Sequence, residues 1–367
     1  MTFSLTSLSL AHVARAARAL SLFRRSLLFV GCWSFAAVAV STAAELPTVA
    51  LFTTGGTIQS KGKHRLTLSE YNDGRVTPDE LLTDLPELKT LAKVEVTEIS
   101  NIGSGGVTTE LLLKLAKSIN ATLARPDVAG AVVTHGTGTL EETAYFLQLT
   151  VNSAKPVVVV GAMRPFTAIS RDGPYNLYNA VRTAATPDAA GKGVMVVLND
   201  TIHSARFVTK NHTYHVETFV ARELGPLGFV DSDRVVFYRN PLVRHTVTSE
   251  FDVSKIETLP QVDIVYGYQE ASSAPIFALT KAGAKGIVFA DSSPSYARAF
   301  SAAQAEGVVI VQSDRKGAGR VTLSERGAGR GIITADNLNA QKARILLRLA
   351  LTKTSDPRQL QRIFNEY

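Results

Sequence analysis

The 367-residue chain contains one cysteine, Cys32, and it lies in an apolar segment near the start. Beyond that segment there is no disulfide to staple the fold and no thiol to act as nucleophile or metal ligand. Stability must come from core burial, and a 45% hydrophobic composition over this length is enough for two domains with real cores. Charge of one sign is scarce as well. The formal surplus of +7 owes four charges to Arg15, Arg18, Arg24 and Arg25, in a stretch of 44 residues without an acid. The remainder holds 35 basic against 32 acidic residues, so nothing argues for nucleic acid or an anionic membrane as partner. No basic stripe interleaved with aromatics appears. Also missing are a GxGxxG or Walker pattern after the first strand, a GxSxG elbow, and metal-ligand spacing among the seven histidines. There is no internal repeat and no low-complexity tract.

The first 44 residues read as an export signal. Arginines precede the apolar run SLLFVGCWSFAAVAV, residues 26–40, and small residues follow at Ser41, Thr42, Ala43 and Ala44. The run falls short of the roughly 20 residues that a membrane-spanning helix needs. Cys32 after Gly31 suits a lipoprotein site less well, because Phe29 fits poorly and the apolar run continues past it. The expected location after cleavage is the periplasm, with no membrane attachment.

From residue 48 short β-branched runs alternate with helical periodicity. TVALFT (48–53), KVEVTEI (93–99), AGAVVT (129–134), KPVVVVG (155–161) and KGVMVVLN (192–199) read as buried parallel strands. Between them, Leu112, Leu115, Ile119 and Leu123 share one helical stripe, Glu141 and Glu142 sit in a helix's first turn, and Pro174 opens another helix. Residues 225–257 lose this alternation and hold scattered charges and prolines, which reads as hairpin-like structure and then a linker; the alternation resumes near 258. The expected class is α/β, with a larger N-terminal domain (45–238) carrying a mostly parallel sheet. A linker (239–257) and a smaller C-terminal parallel-sheet domain (258–367) complete it.

In such sheets ligands bind beyond the carboxyl ends of the strands. Two of those ends match in character: Thr53-Thr54-Gly55-Gly56-Thr57 and Thr134-His135-Gly136-Thr137-Gly138-Thr139. Glycines open the backbone N–H groups to a ligand, and threonines offer hydroxyls. A pair of phosphate-cradling loops is the rival reading. A hydroxyl nucleophile needs a base. His135 lies inside the second turn, as base or as a structural hydrogen-bonder; His203, His212 and His215 fall in a later polar segment. Lys210, in FVTKNHTYHVETF, is another candidate if desolvated.

These residues resemble the bacterial type II L-asparaginases, the exported asparaginase/glutaminase family. The match runs nearly end to end, through TTGGTI (53–58), SNIGS (100–104), THGT (134–137), LEETAYFL (140–147), PVVVVGAMRP (156–165), DGPYNLYNAV (172–181), VTKNHT (208–213) and NAQKARILLRLAL (339–351). The resemblance implies two α/β domains, a homotetramer, and hydrolysis of a small-molecule side-chain amide to carboxylate and ammonia without metal or cofactor. It implies Thr54 as nucleophile, Tyr71 on a lid loop as its activator, and Thr137 with Lys210 as proton relay. Ser104 and the glycine turns at Gly103 and Gly136 would hold the substrate's α-carboxylate.

Three departures stand out. The family's THGTD reads THGTG here, so Gly138 replaces an aspartate that grips the α-ammonium. Gly105 replaces a glutamine with the same task. Asp291-Ser292-Ser293-Pro294-Ser295 replaces a glycine- and asparagine-rich loop, while Glu325 stands near the place of a glutamate that crosses from a neighbouring subunit. Weak activity on free asparagine is the expected consequence. An asparaginase-like small-ligand binder that has lost turnover is the alternative.

Overall fold

The computed structural model describes residues 45–322 and 324–367; the expected export segment, 1–44, lies outside the described residues. Strands β1 (Thr48–Gly55), β2 (Lys93–Ile102), β3 (Val128–Thr134), β4 (Val157–Val160) and β5 (Val194–Leu198) fall where the apolar runs predict them. They form the parallel part of an eight-stranded sheet, in the order β2-β1-β3-β4-β5. Both faces are covered, so β1, β4 and β5 are buried along their whole length. The outer strand β2 alternates charged and apolar residues, which suits an edge.

Three short strands extend the sheet, β6 (Thr201–Ser204), β9 (Gly228–Val230) and β10 (Val235–Phe237), all antiparallel to their neighbours. Periodicity cannot reveal strands of three or four residues. The chemistry of one turn could have. Asn199 and Asp200 have φ of 50° and 61°, the two positive values that a tight hairpin between β5 and β6 requires. Two further pieces, β7 (Thr209–Lys210) and β8 (Phe219–Val220), pair as a separate ribbon.

The first lobe's helices are α1 (Pro78–Thr83), α2 (Thr109–Leu123), α3 (Leu140–Thr150) and α4 (Gly173–Ala185). The second lobe carries the parallel sheet β11 (Val262–Tyr266), β12 (Gly286–Ala290), β13 (Val309–Asp314) and β14 (Ile333–Asn339). Its helices are α5 (Ala274–Lys281), α6 (Tyr296–Ala305), α7 (Glu325–Ala328), α8 (Ala340–Ala350) and α9 (Pro357–Glu366). Among the described residues, no helix is long and apolar enough to cross a membrane.

The largest hydrophobic cluster belongs to both lobes. Leu140, Ala144 and Leu147 of α3 pack in one continuous core with Ile345, Leu346 and Leu347 of α8 and with Val262, Val288 and Val311 of the second sheet. Helix α3 is accordingly buried on nearly every side, which explains its weak amphipathic pattern. The segment expected as a linker is drawn into the same core through Phe251 and Val253.

A shared core couples the lobes. Calorimetry of residues 45–367 should show one unfolding transition. Leu147→Ala, at a fully buried position, should lower stability by about 2–5 kcal/mol without splitting that transition. Two resolved transitions would mean that the lobes unfold separately.

Candidate functional site

The carboxyl ends of β1 and β3 meet through backbone alone. Gly55 and Gly56 turn the chain with φ of 99° and 85°. A Cβ on Gly56 would lie 2.3 Å from the Gly136 Cα, and one on Gly55 would lie 2.4 Å from the Ile102 nitrogen. No side chain fits either position. The Gly56 N–H donates to Ile102 O at 2.8 Å, which ties the turn to the end of β2.

An open cavity of about 250 Å3 lies beyond this contact, lined by Thr57, Tyr71, Arg75, Ser104, Thr137 and Lys210 together with Gly56, Ser60, Gly103, Gly136 and Gly138. Thr137, Lys210, Tyr71, Ser104, Gly103, Gly136 and Gly138, all singled out in the sequence, are therefore brought together. The Lys210 Nζ donates to the Thr137 Oγ1 at 2.9 Å. Burial pushes the Lys210 ammonium below the usual lysine range, and no carboxylate counters the effect.

Thr54 is a correction. It lies before the glycine turn, and its hydroxyl donates to Thr134 O at 2.8 Å, inside the sheet. It does not line the cavity. The threonine that does is Thr57, which starts a short 3-10 turn immediately after Gly56. Among the described residues the Thr57 hydroxyl makes no hydrogen bond, whereas Thr54 is committed to β3. Sequence reasoning took the hydroxyl that ends the strand. The available signal was the glycine pair itself, because a turn of two positive-φ residues reorients the chain and presents the next side chain to the crevice.

Glu325 opens α7 in an exposed position and does not line the cavity of its own chain. His135 is fully buried beside the site. Its Nδ1 donates to Gly136 O at 2.8 Å and its Nε2 accepts from the Thr143 hydroxyl at 2.9 Å. Burial lowers its pKa to about 4, so it stays neutral and holds the turn's shape. His203 is buried in β6, and the rings of His212 and His215 stack 3.7 Å apart outside the cavity. No group of three or more metal-ligating side chains gathers among the described residues.

Lys210 is held by the second lobe, which sequence reasoning missed. Glu141, in the first turn of α3, accepts from the Lys210 backbone N–H at 3.2 Å through one oxygen. Its other oxygen accepts from Asn339 Nδ2, also at 3.2 Å. Lys342 of α8 is 2% exposed. It donates to Arg206 O at 3.0 Å and to Val208 O, two carbonyls just before the strand that bears Lys210. Burial lowers the Lys342 pKa to about 8, against the opposing pull of the Glu141 charge.

A site of this kind offers a hydroxyl free to attack, a second hydroxyl joined to a lysine of depressed pKa, and backbone at close range. Those parts suit acyl transfer from an amide.

The family model "Asparaginase, N-terminal" matches residues 48–243, and "Glutaminase/Asparaginase C-terminal domain" matches residues 261–364. The L-asparaginase 2 of Bacillus subtilis (strain 168) is 50% identical over 329 residues, covering 88% of this chain and 87% of the relative. The L-asparaginase 2 of Escherichia coli (strain K12) is 46% identical over 332 residues, covering 89% and 94%. The crystal structure of a probable cytoplasmic L-asparaginase from Campylobacter jejuni superposes with a TM-score of 0.85 at 43% identity, over 88% of this chain and all of that one.

The neutral His135 makes acid stability a test of the turn. Its folded pKa of about 4 lies below the ordinary value of 6.5, so between these the unfolded chain binds the proton more readily. Stability supplied by the neutral ring is therefore complete above pH 6.5 and is lost as pH falls toward 4. The loss should reach roughly 2–3 kcal/mol near pH 4.5. Urea midpoints should fall less steeply with acidification in His135→Gln than in the parent; equal slopes would show that His135 does not titrate in this way.

Proposed function

The chain belongs to the asparaginase family and is an asparaginase-type amidohydrolase, and from that premise we propose Thr57 as its nucleophile and Thr137 with Lys210 as its proton relay. The observation that carries this reading is the convergence of Thr57, Thr137 and Lys210 on one cavity, with the lysine amine 2.9 Å from the Thr137 hydroxyl. In its neutral form Lys210 accepts the Thr137 proton, and the Thr137 oxygen can then take a proton from an attacking group. The Thr57 oxygen bonds to the amide carbon, the carbon–nitrogen bond breaks, and ammonia leaves with a proton. Water then cleaves the resulting ester to a carboxylate and restores the Thr57 hydroxyl. Backbone N–H groups of the two glycine turns are the candidates to stabilise the oxyanion. Tyr71, on a loop rich in polar residues, is placed to cover the substrate and to assist Thr57.

The substrate reading is an amide of the asparagine and glutamine class, with weak turnover of free asparagine. Support comes from Gly138 and Gly105, neither of which carries a group to hold an ammonium. Gly138 lines the cavity, whereas Gly105 is exposed outside its lining and a Cβ there would meet nothing within 4 Å. We also propose export through residues 1–44, on the charge and apolar pattern of that segment, and assembly as a homotetramer. The exposed Tyr238 and Leu242, at 72% and 97% accessibility, are surface that a partner copy could bury. N-terminal sequencing of the mature protein and light scattering test these two points.

Thr57→Ala should lower kcat/KM for the best amide by about a thousandfold or more, a loss of ~4 kcal/mol, with the fold intact by circular dichroism. Thr54→Ala should retain turnover within about tenfold, since it removes one internal hydrogen bond worth ~1 kcal/mol. The reverse ranking would return the nucleophile to Thr54. Gly138→Asp restores a carboxylate and should raise asparagine kcat/KM about tenfold or more, in line with ~1.5–3 kcal/mol for a charged hydrogen bond. Its Cβ would lie 2.9 Å from Ser104 Oγ, which a rotation of that hydroxyl relieves. Unchanged asparagine turnover in that variant would count against Gly138 as the cause.

A further inference from the structure

The residues lining the catalytic cavity include two cations, Arg75 and Lys210, and no carboxylate at all. Lys210 is already engaged with Thr137. Arg75 is not engaged with anything of the kind. Among the described residues its guanidinium forms no ion pair, and it borders the Gly103–Ser104 wall, with Nη2 3.9 Å from where a Cβ on Gly103 would lie. The same wall carries the Ser104 hydroxyl, 2.9 Å from the corresponding position on Gly138. A planar fork of N–H donors and a serine hydroxyl thus face one end of the cavity, and among the described residues no acid of the same chain lines it.

We propose that Arg75 is a specificity-determining residue that binds an anionic group of the substrate, and that the preferred substrates are carboxamides bearing a carboxylate and no cationic amine. This rests on the amidohydrolase reading of the same cavity and narrows it. A carboxylate at this end would accept from the Arg75 fork in the paired geometry that guanidinium and carboxylate share, and from the Ser104 hydroxyl as well. An ammonium in the same place would meet positive charge on the wall and no anionic acceptor. Arg75 reaches the cavity from the loop that also carries Tyr71, so binding an anion there would draw the loop over the reacting amide. Succinamate has the required chemistry: it is a side-chain amide with one carboxylate and no amine.

The test is ammonia release by the mature protein from succinamate, L-asparagine and the neutral amide butyramide. Succinamate kcat/KM should exceed that of asparagine at least tenfold. In Arg75→Gln the ratio of kcat/KM for succinamate to that for butyramide should fall at least tenfold, chiefly through KM, and Arg75→Lys should recover part of it. An unchanged ratio in Arg75→Gln, or asparagine preferred over succinamate by the parent protein, overturns the proposal. Should no amide be hydrolysed, the amidohydrolase reading is what fails. Calorimetric titration with succinamate then decides the Arg75 question: a tenfold weaker Kd in Arg75→Gln supports it, and equal Kd values overturn it.

Discussion

The contact between Gly56 and Gly136 governs the site. Two strand ends meet at a distance that admits no Cβ, and Thr57 and Thr137 take their places from that approach. The turn at Gly55 and Gly56 carries Thr57 past the end of β1 and presents it to the cavity, while the turn after β3 presents Thr137 from the other side. Either turn with a larger residue would have to move by several tenths of an ångström or more, and catalytic geometry tolerates less than that. Buried polar groups lock the arrangement from behind. Gln59 accepts from the Gly55 N–H at 3.1 Å and from the Thr134 hydroxyl at 3.3 Å, and it donates to Val76 O at 3.2 Å. One amide side chain thereby holds the glycine turn, the end of β3 and the segment that follows the Tyr71 loop.

The third reactive group depends on the second lobe. Lys210 lies on a two-residue strand that has little cohesion of its own. It is fixed by Glu141, which joins its backbone to Asn339, and by Lys342, which takes up the carbonyls of Arg206 and Val208. Buried charges are costly unless paired and hydrogen-bonded. Here Glu141 and Lys342 act in one network at the seam between the lobes, next to the core that α3 and α8 share. Among the described residues the C-terminal lobe contributes none to the cavity lining, yet it sets the position of Lys210, the proposed base. The two lobes are in this sense one catalytic unit.

Much of this was legible in the sequence, and the misses have physical reasons. Long apolar runs announced β1, β3, β4 and β5, because strands covered on both faces need them, while the edge strand β2 showed itself by alternation and not by the burial expected of it. Of the antiparallel extension, the hairpin of β9 and β10 falls in the segment read as hairpin-like, whereas β6 was silent, since four residues carry no usable period; only Asn199-Asp200 hinted at its turn. Most of the residues that the resemblance named line one crevice. It did not settle which of two threonines, three residues apart, faces the ligand. That choice depends on the direction in which two left-handed glycines send the chain, and position along a strand does not encode it. The roles of Glu141, Asn339 and Lys342 were hidden for another reason: their partners are backbone groups distant in sequence, and a charged residue on a helix reads as solvated until its burial is known.

The missing carboxylate links catalysis to recognition. An anion beside Lys210 would favour the charged ammonium and raise its pKa, and a charged lysine cannot take a proton from Thr137. With glycine at 138, desolvation acts alone and the neutral amine is easier to reach. Among the described residues of one chain, the same absence leaves Arg75 and Lys210 as the charged groups of the cavity lining. A site that gains a readier base therefore also changes the charge of the substrate it can hold. In the proposed reading the two consequences are inseparable, because both follow from the same missing side chain, and together they would favour an anionic amide over a zwitterionic one.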